Sequence, residues 1–147
     1  MKIEGTYTLN ASQQEVWDLF NDTTHLSNAL PGCEELVERE PGKYDMVLKI
    51  GVAGVKGQYG GKMEVLDQEP PNRYRLVGEG SGSPGFVKGE ALIEFSQKND
   101  TTIISYQGDV QVGGLIAGIG QRMMGGIAKM MLRQFFKNME NELKTRG

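Results

Sequence analysis

The side chains that could do acid–base, nucleophilic or metal chemistry are few and poorly placed for it. His25 is the only histidine of the 147 residues and Cys33 the only cysteine. Neither has a partner at metal-ligand spacing or a catalytic relay beside it. A lone histidine of this kind reads as structural. Cys33, just after Pro31-Gly32, reads as a small apolar side chain. Glu64, Asp67, Glu90 and Glu94 fall on the polar register of their segments, which assigns them to solvated surface. Gly78-Glu79-Gly80-Ser81-Gly82 has the glycines of a phosphate loop, but it lacks the lysine and is followed by a turn, not a helix. No nucleophile elbow, zinc-protease helix or C-x-x-C pair occurs. The residues therefore predict no catalytic group, no metal site and no cofactor. What remains is polar chemistry of the mildest kind. Tyr7, Tyr59 and Tyr106 point inward by register, and a buried hydroxyl needs a partner, which a ligand oxygen, another side chain or water serves equally well.

Apolar chemistry is better represented. Twenty-one residues are glycine, and many occupy positions where buried side chains belong. Between Val87 and Phe95 the apolar register runs Val87, Gly89, Ala91, Ile93, Phe95. Glycine enters the same register at Gly57 and Gly61, at Gly78 and Gly80, and at Gly108. A strand without side chains on its inner face cannot fill the space beneath it, so either the sheet bends sharply or its inside is hollow. Facing these glycines are methionines: Met123, Met124, Met130, Met131 and Met139 near the C-terminus, with Met46 and Met63 on strand faces. Such flexible, polarizable side chains suit an irregular apolar guest, or simply fill a core. Together the two features predict a pocket for an apolar small molecule. Its strand-side walls would be Tyr59, Met63, Gly78, Gly80, Gly89, Ala91, Tyr106 and Gly108, and its helix-side walls Ile116, Ile119, Met123 and Ile127.

The elements that must position these residues follow from periodicity. Residues 2–10 alternate as a strand, with Ile3, Gly5, Tyr7 and Leu9 on one face. Ser12-Gln13-Gln14-Glu15 is a capping box that opens a short helix, and a second short helix runs from about Thr23 to Leu30, where Pro31-Gly32 stops it. From Cys33 to Val112, turn signals at Pro41-Gly42, Ala53-Gly54, Pro70-Pro71-Asn72, Ser83-Pro84-Gly85 and Asn99-Asp100 cut the chain into six strands. Short turns imply an antiparallel meander. After Gly113-Gly114 the period becomes 3.6. One stripe is Ile116, Ile119, Met123, Ile127, Met130 and Met131; a second is Ala128, Leu132, Phe135, Phe136, Met139 and Leu143. A single helix of roughly 30 residues is expected, weakened at its start by Gly118, Gly120, Gly125 and Gly126, which suits either a portal or close packing of the helix on the sheet. The fold class is α+β: seven antiparallel strands curled around a long C-terminal helix, with two short helices after the first strand.

Composition bounds the rest. The length fits one domain spanning residues 1–147. A net charge of −3 without a basic cluster argues against a nucleic-acid binder. The N-terminus has no signal-like apolar run, and no apolar window is long enough to span a bilayer. The single cysteine cannot form an internal disulfide, which points to the cytoplasm.

Element order and several local strings resemble the START-related helix-grip superfamily (SRPBCC), to which the birch pollen allergen belongs. More narrowly, the chain resembles the CoxG-like family, named for the CoxG component of carbon monoxide dehydrogenase. The strings are Glu15-Val16-Trp17, Leu30-Pro31-Gly32-Cys33, Gly85-Phe86-Val87-Lys88-Gly89 and Ala128 through Gln134-Phe135-Phe136. The resemblance implies a cavity between sheet and helix for lipids or quinones, and an accessory role beside a molybdenum hydroxylase of the carbon monoxide dehydrogenase type. Some members tether that enzyme to the membrane through a linker and an apolar tail. This chain stops at Arg146-Gly147, so peripheral contact is the most that is expected of it. Relatives of the broader fold include cyclases and hydrolases acting on aromatic or polyketide-like substrates; that alternative needs an acid or base in the pocket. A third reading is a docking module, or a homodimer, using the stripe around Leu132, Phe136 and Leu143.

Overall fold

The computed structural model describes residues 1–145; the C-terminal pair on which the tail comparison rests lies outside the described residues. Strand β1 (Lys2–Leu9) leads into helices α1 (Gln13–Phe20) and α2 (Thr23–Ala29). The Ser12 hydroxyl accepts from the Glu15 amide at 3.2 Å, and the Asp22 carboxylate accepts from the His25 amide at 3.1 Å, so each short helix starts on a side-chain cap. Six strands follow: β2 (Cys33–Glu40), β3 (Lys43–Ile50), β4 (Gly57–Glu69), β5 (Arg73–Gly82), β6 (Gly85–Lys98) and β7 (Thr101–Gly113). The sheet order is β1-β7-β6-β5-β4-β3-β2, all antiparallel, and helix α3 (Gln121–Thr145) lies against its concave face. This is the expected meander, closed on one side by β1.

The last helix differs from expectation. Residues Leu115–Ile119 form a 3-10 turn, bracketed by Gly114 at φ 79° and Gly120 at φ 90°. No side chain adopts Gly120's conformation without strain, and it ends the turn before α3 begins. The long helix therefore has 25 residues, about 37 Å, and not roughly 30. Its angular phase is also independent of the turn's.

Strand register places the inner face in rows across the sheet. One row runs Met63, Gly78, Gly89, Val110, Met1; the next runs Met46, Gly61, Gly80, Val87, Val112. Further along lie Tyr74, Ile93, Tyr106 and Gly5. The rings are segregated to that second end. Trp17, Phe20, Tyr74 and Phe95 meet edge to face or tilted, and Phe136 lies between Tyr7 (5.1 Å) and Tyr106 (5.4 Å) in stacked pairs. Leu9, Val16, Leu19, Ile104 and Met139 complete this cluster with no exposed surface. The other end holds a thinner cluster of Ile50, Val55, Tyr59, Ile116 and Ile127. Large rings fill one end of the barrel-like curl; aliphatics and glycines are left for the other.

α2 and α3 are tied by polar contacts. Glu142 Oε1 lies 2.9 Å from His25 Nδ1 and accepts from Asn28 Nδ2 at 2.9 Å. These bonds, the Asn28 amide first and His25 second, hold the Glu142 carboxyl below its ordinary 4.5. A carboxylate with a depressed folded pKa stabilises the fold above its unfolded pKa, and the contribution is lost as pH falls through the folded value. Glu142→Gln should therefore cost about 1 kcal/mol near neutral pH, with the gap from wild type closing under acid conditions. Urea midpoints of the two proteins measured along a pH series check this.

The stripe expected to serve docking is taken up within the monomer. Phe136 is 5% exposed, and Leu132 and Leu143 pack on the same cluster. Leu132 and Leu143 stay partly exposed, so a smaller part of that stripe is left for a dimer or partner.

Candidate ligand cavity

At the glycine-rich end, sheet and helix separate around a cavity of about 330 Å³. Strand β3 contributes Met46, Leu48 and Ile50; β5 contributes Gly78 and Gly80; and Val87, Val110, Val112 and Ile3 close the floor. Met124, Ile127, Ala128, Met131 and Leu132 of α3 form the roof, with Val55 and Ile116 toward one end. Glu79 is the one wall residue with a charged side chain. Its register partners are Lys62 and Lys88, on the opposite, solvent face of the sheet, so it meets the cavity through its backbone. A guest here would be held by apolar contact alone.

The inward glycines divide into two kinds. A Cβ on Gly78 would lie 3.6 Å from the nearest atom, the Lys62 carbonyl oxygen, and one on Gly80 3.8 Å from the Gly60 oxygen. Both are ordinary contacts, so backbone packing does not require glycine there, and the missing side chains leave open space. Gly61 and Gly108 are different. A Cβ on Gly61 would overlap the backbone of Glu79 and Gly80, and one on Gly108 the backbone of Glu90 and Ala91. These two allow adjacent strands to crowd together as the sheet bends. Gly89 is intermediate, its Cβ position 3.0 Å from the Asp109 oxygen. The alternatives of bend and hollow are both realised, at different glycines.

Of the residues expected to form the pocket, Tyr59, Gly78, Gly80, Ile116 and Ile127 line it. Seven do not. Met63 packs into the aromatic cluster, and Tyr106 stacks on Phe136 with its hydroxyl over Gly5. Gly89, Ala91 and Gly108 share the inner face, outside the wall itself. Ile119 sits over the β3–β4 loop near Gly54, and Met123 is 57% exposed. The helix error has one cause: counting the stripe through Gly120 carried the turn's phase into α3, where Met124 and not Met123 faces inward. Met46, Leu48, Val110 and Val112 were legible on apolar strand faces, but only the segregation of the rings shows which end of each face is hollow.

The tyrosines are less free than their register allows. Tyr59 donates to the Val55 carbonyl at 2.6 Å, pinning the β3–β4 loop across the cavity end, and burial raises its phenol pKa above the usual 10.0. Tyr7 donates to Glu140 Oε2 at 3.2 Å. His25 and Cys33 lie away from the wall, His25 on Glu142 and Cys33 beside Ser27. No group of three or more potential metal-ligating side chains occurs among the described residues, and no described helix is long and apolar enough to cross a membrane.

The architecture is that of the START-like proteins. A START superfamily protein from Mycobacterium smegmatis superposes with a TM-score of 0.78 at 14% identity, covering 99% of each chain. A Thermus thermophilus protein gives 0.75 at 15%, covering 100% of this chain and 99% of its own. A conserved protein from Geobacillus kaustophilus is much nearer, with 38% identity, a TM-score of 0.96, and coverage of 99% of this chain and 96% of that one. No curated protein matches the chain. The profile of the carbon monoxide dehydrogenase CoxG family matches residues 5–144, nearly the whole length. With its seven-stranded grip on α3 and this match, the chain belongs to the CoxG family.

Proposed function

We propose that this protein is a non-enzymatic carrier that takes up one apolar small molecule of the lipid or quinone type between sheet and C-terminal helix. The observation that carries the reading is the wall: an apolar cavity floored by Gly78 and Gly80, where glycine is not required by the backbone. Its volume is at the small end of ligand sites, suited to a single ring with a short tail or a single chain. At about 0.3 kcal/mol per non-hydrogen atom, a guest of about 25 atoms would bind in the micromolar range. Entry is served by the 3-10 turn, whose Ile116 side chain is 2% exposed against the cavity between two glycines with positive φ. Family membership supports a further assignment, accessory service to a carbon monoxide dehydrogenase-type molybdenum hydroxylase in the cytoplasm. A cyclase- or hydrolase-like enzyme would need an acid or base at the wall; the Glu79 carboxylate belongs to the outer face, and the Tyr59 hydroxyl is engaged by the Val55 carbonyl.

Native mass spectrometry of protein purified without detergent tests the reading. The expected result is a stoichiometric apolar adduct that leaves on denaturation. A bare mass that also fails to shift with added quinone or fatty acid would overturn it.

A further inference from the structure

A second cavity adjoins the first. It has a volume of about 390 Å³ and lies between the end of β7, the 3-10 turn and the start of α3. Five residues line both spaces: Met1, Val110, Val112, Ile116 and Met124. The two are thus separated by a partition one side chain thick. Its movable parts are Met1 and Met124, both half-buried. Met1 is paired with Val110 on the sheet, and its sulfur lies 3.9 Å from where a Cβ on Gly125 would stand, so this side chain reaches from sheet to α3. Unbranched thioether side chains change rotamer readily, whereas the β-branched valines and isoleucine beside them are stiff.

The outer space differs in chemistry from the inner one. Ala117, Gly120 and Gln121 line it and do not line the inner cavity. An added Cβ at Gly118 or Gly120 would meet nothing within 4 Å, so the rim on that side is open. Gln121 is exposed, and its side chain makes no hydrogen bond to another described residue. A side-chain amide carries both donors and an acceptor, and so serves a hydroxyl or a carbonyl oxygen equally. In the inner cavity the only side-chain hydroxyl, that of Tyr59, is already engaged by Val55. Each space alone is at the small end of ligand sites, which run from about 300 to 1,000 Å³; joined, they fall well inside that range.

We infer that the two spaces form one site for an amphiphile, its apolar body in the inner cavity and its oxygen-bearing head in the outer one, beside Gln121. The chain of the guest passes between them where the Met1 and Met124 side chains turn aside. This assignment rests on the carrier reading and narrows it to guests with a hydroxyl or carbonyl at one end. The orientation follows from desolvation. A head placed inward would lose its hydrogen bonds to water against a wall that offers none in return.

Two probes separate the spaces. Naphthalene has no head and is small enough for the inner cavity, and its own fluorescence reports binding. Dodecan-1-ol has a head and a long chain, and is read by displacement of naphthalene. Ala117→Phe fills the outer space from an exposed position that does not touch the inner one. It should weaken dodecan-1-ol about tenfold, the equivalent of roughly two methylenes left in water. Gln121→Leu should weaken it about fivefold, the worth of one neutral hydrogen bond. Naphthalene should bind both variants as it binds wild type. If naphthalene binds wild type but dodecan-1-ol binds all three proteins alike, the outer half of the site is overturned and the carrier reading stands. Equal losses of naphthalene and dodecan-1-ol in the variants would also overturn the division into body and head. If neither probe binds wild type, the carrier reading itself fails.

Discussion

Gly80→Leu is expected to leave the protein folded while removing its capacity for an apolar guest. The Cβ position is 3.8 Å from its nearest neighbour, the backbone there does not demand glycine, and the side chain would project into the cavity. A leucine that denies the guest about 100 Å² of contact, at about 25 cal/mol per Å², weakens binding by roughly 2.5 kcal/mol, close to two decades. Stability should hold or rise slightly, because the strand loses a flexible residue and the void shrinks. Gly78→Leu should behave alike. Gly108→Leu is the contrasting control, since any Cβ there meets the Glu90 and Ala91 backbone and the sheet itself must give. Titration with an apolar fluorophore, beside thermal melts of all three variants, reads the outcome. If Gly80→Leu binds as wild type does, the guest does not occupy this cavity.

Phe136→Ala should be the most damaging single truncation in the molecule. The ring is stacked on Tyr7 and Tyr106, meets Phe135 at 5.3 Å and lies 6.3 Å from Phe20. It thereby joins α3 to β1, β7 and α1. Removing a buried phenylalanine costs about 3–5 kcal/mol in lost transfer energy and cavity. For a chain of this size that lowers the melting temperature by roughly 6–20 °C. Melts followed by circular dichroism check it. A loss below about 1 kcal/mol would mean that the aromatic end is looser than its stacking implies.

The two variants probe opposite ends of one inner face, and the sequence distinguishes those ends only in part. Alternation along Val87–Phe95 and Leu76–Gly80 was enough to assign the inner register, because a strand's side chains alternate whatever surrounds them. Turn residues were enough to count the strands, and Ser12 and Pro31-Gly32 to bound the short helices, because these effects act within a few residues. The pocket was harder. Tyr59, Gly78 and Gly80 were legible on the wall, yet Tyr106 and Met63 obey the same register and belong to the packed end. The difference lies in which rings stack across the sheet, a property of residues far apart in the chain.

Glycine illustrates the same division. In sequence, Gly80 and Gly108 are identical: one residue without a side chain in an apolar register. In the fold the first opens a space and the second relieves a collision between neighbouring strands, because only the curvature of the assembled sheet sets how near the next backbone comes. The helix phase was lost for a local reason with a tertiary consequence. Gly120 at φ 90° breaks the count, and packing against the sheet then selects Met124 for the interior and leaves Met123 outside. Element order, inward register and the hollow or bent character of the sheet are written in local patterns, since all three rest on short-range steric rules. Where along that face the hollow lies, and which side chains reach it, is set once the rings of distant segments have packed together. Long-range packing of that kind leaves no trace in any local pattern.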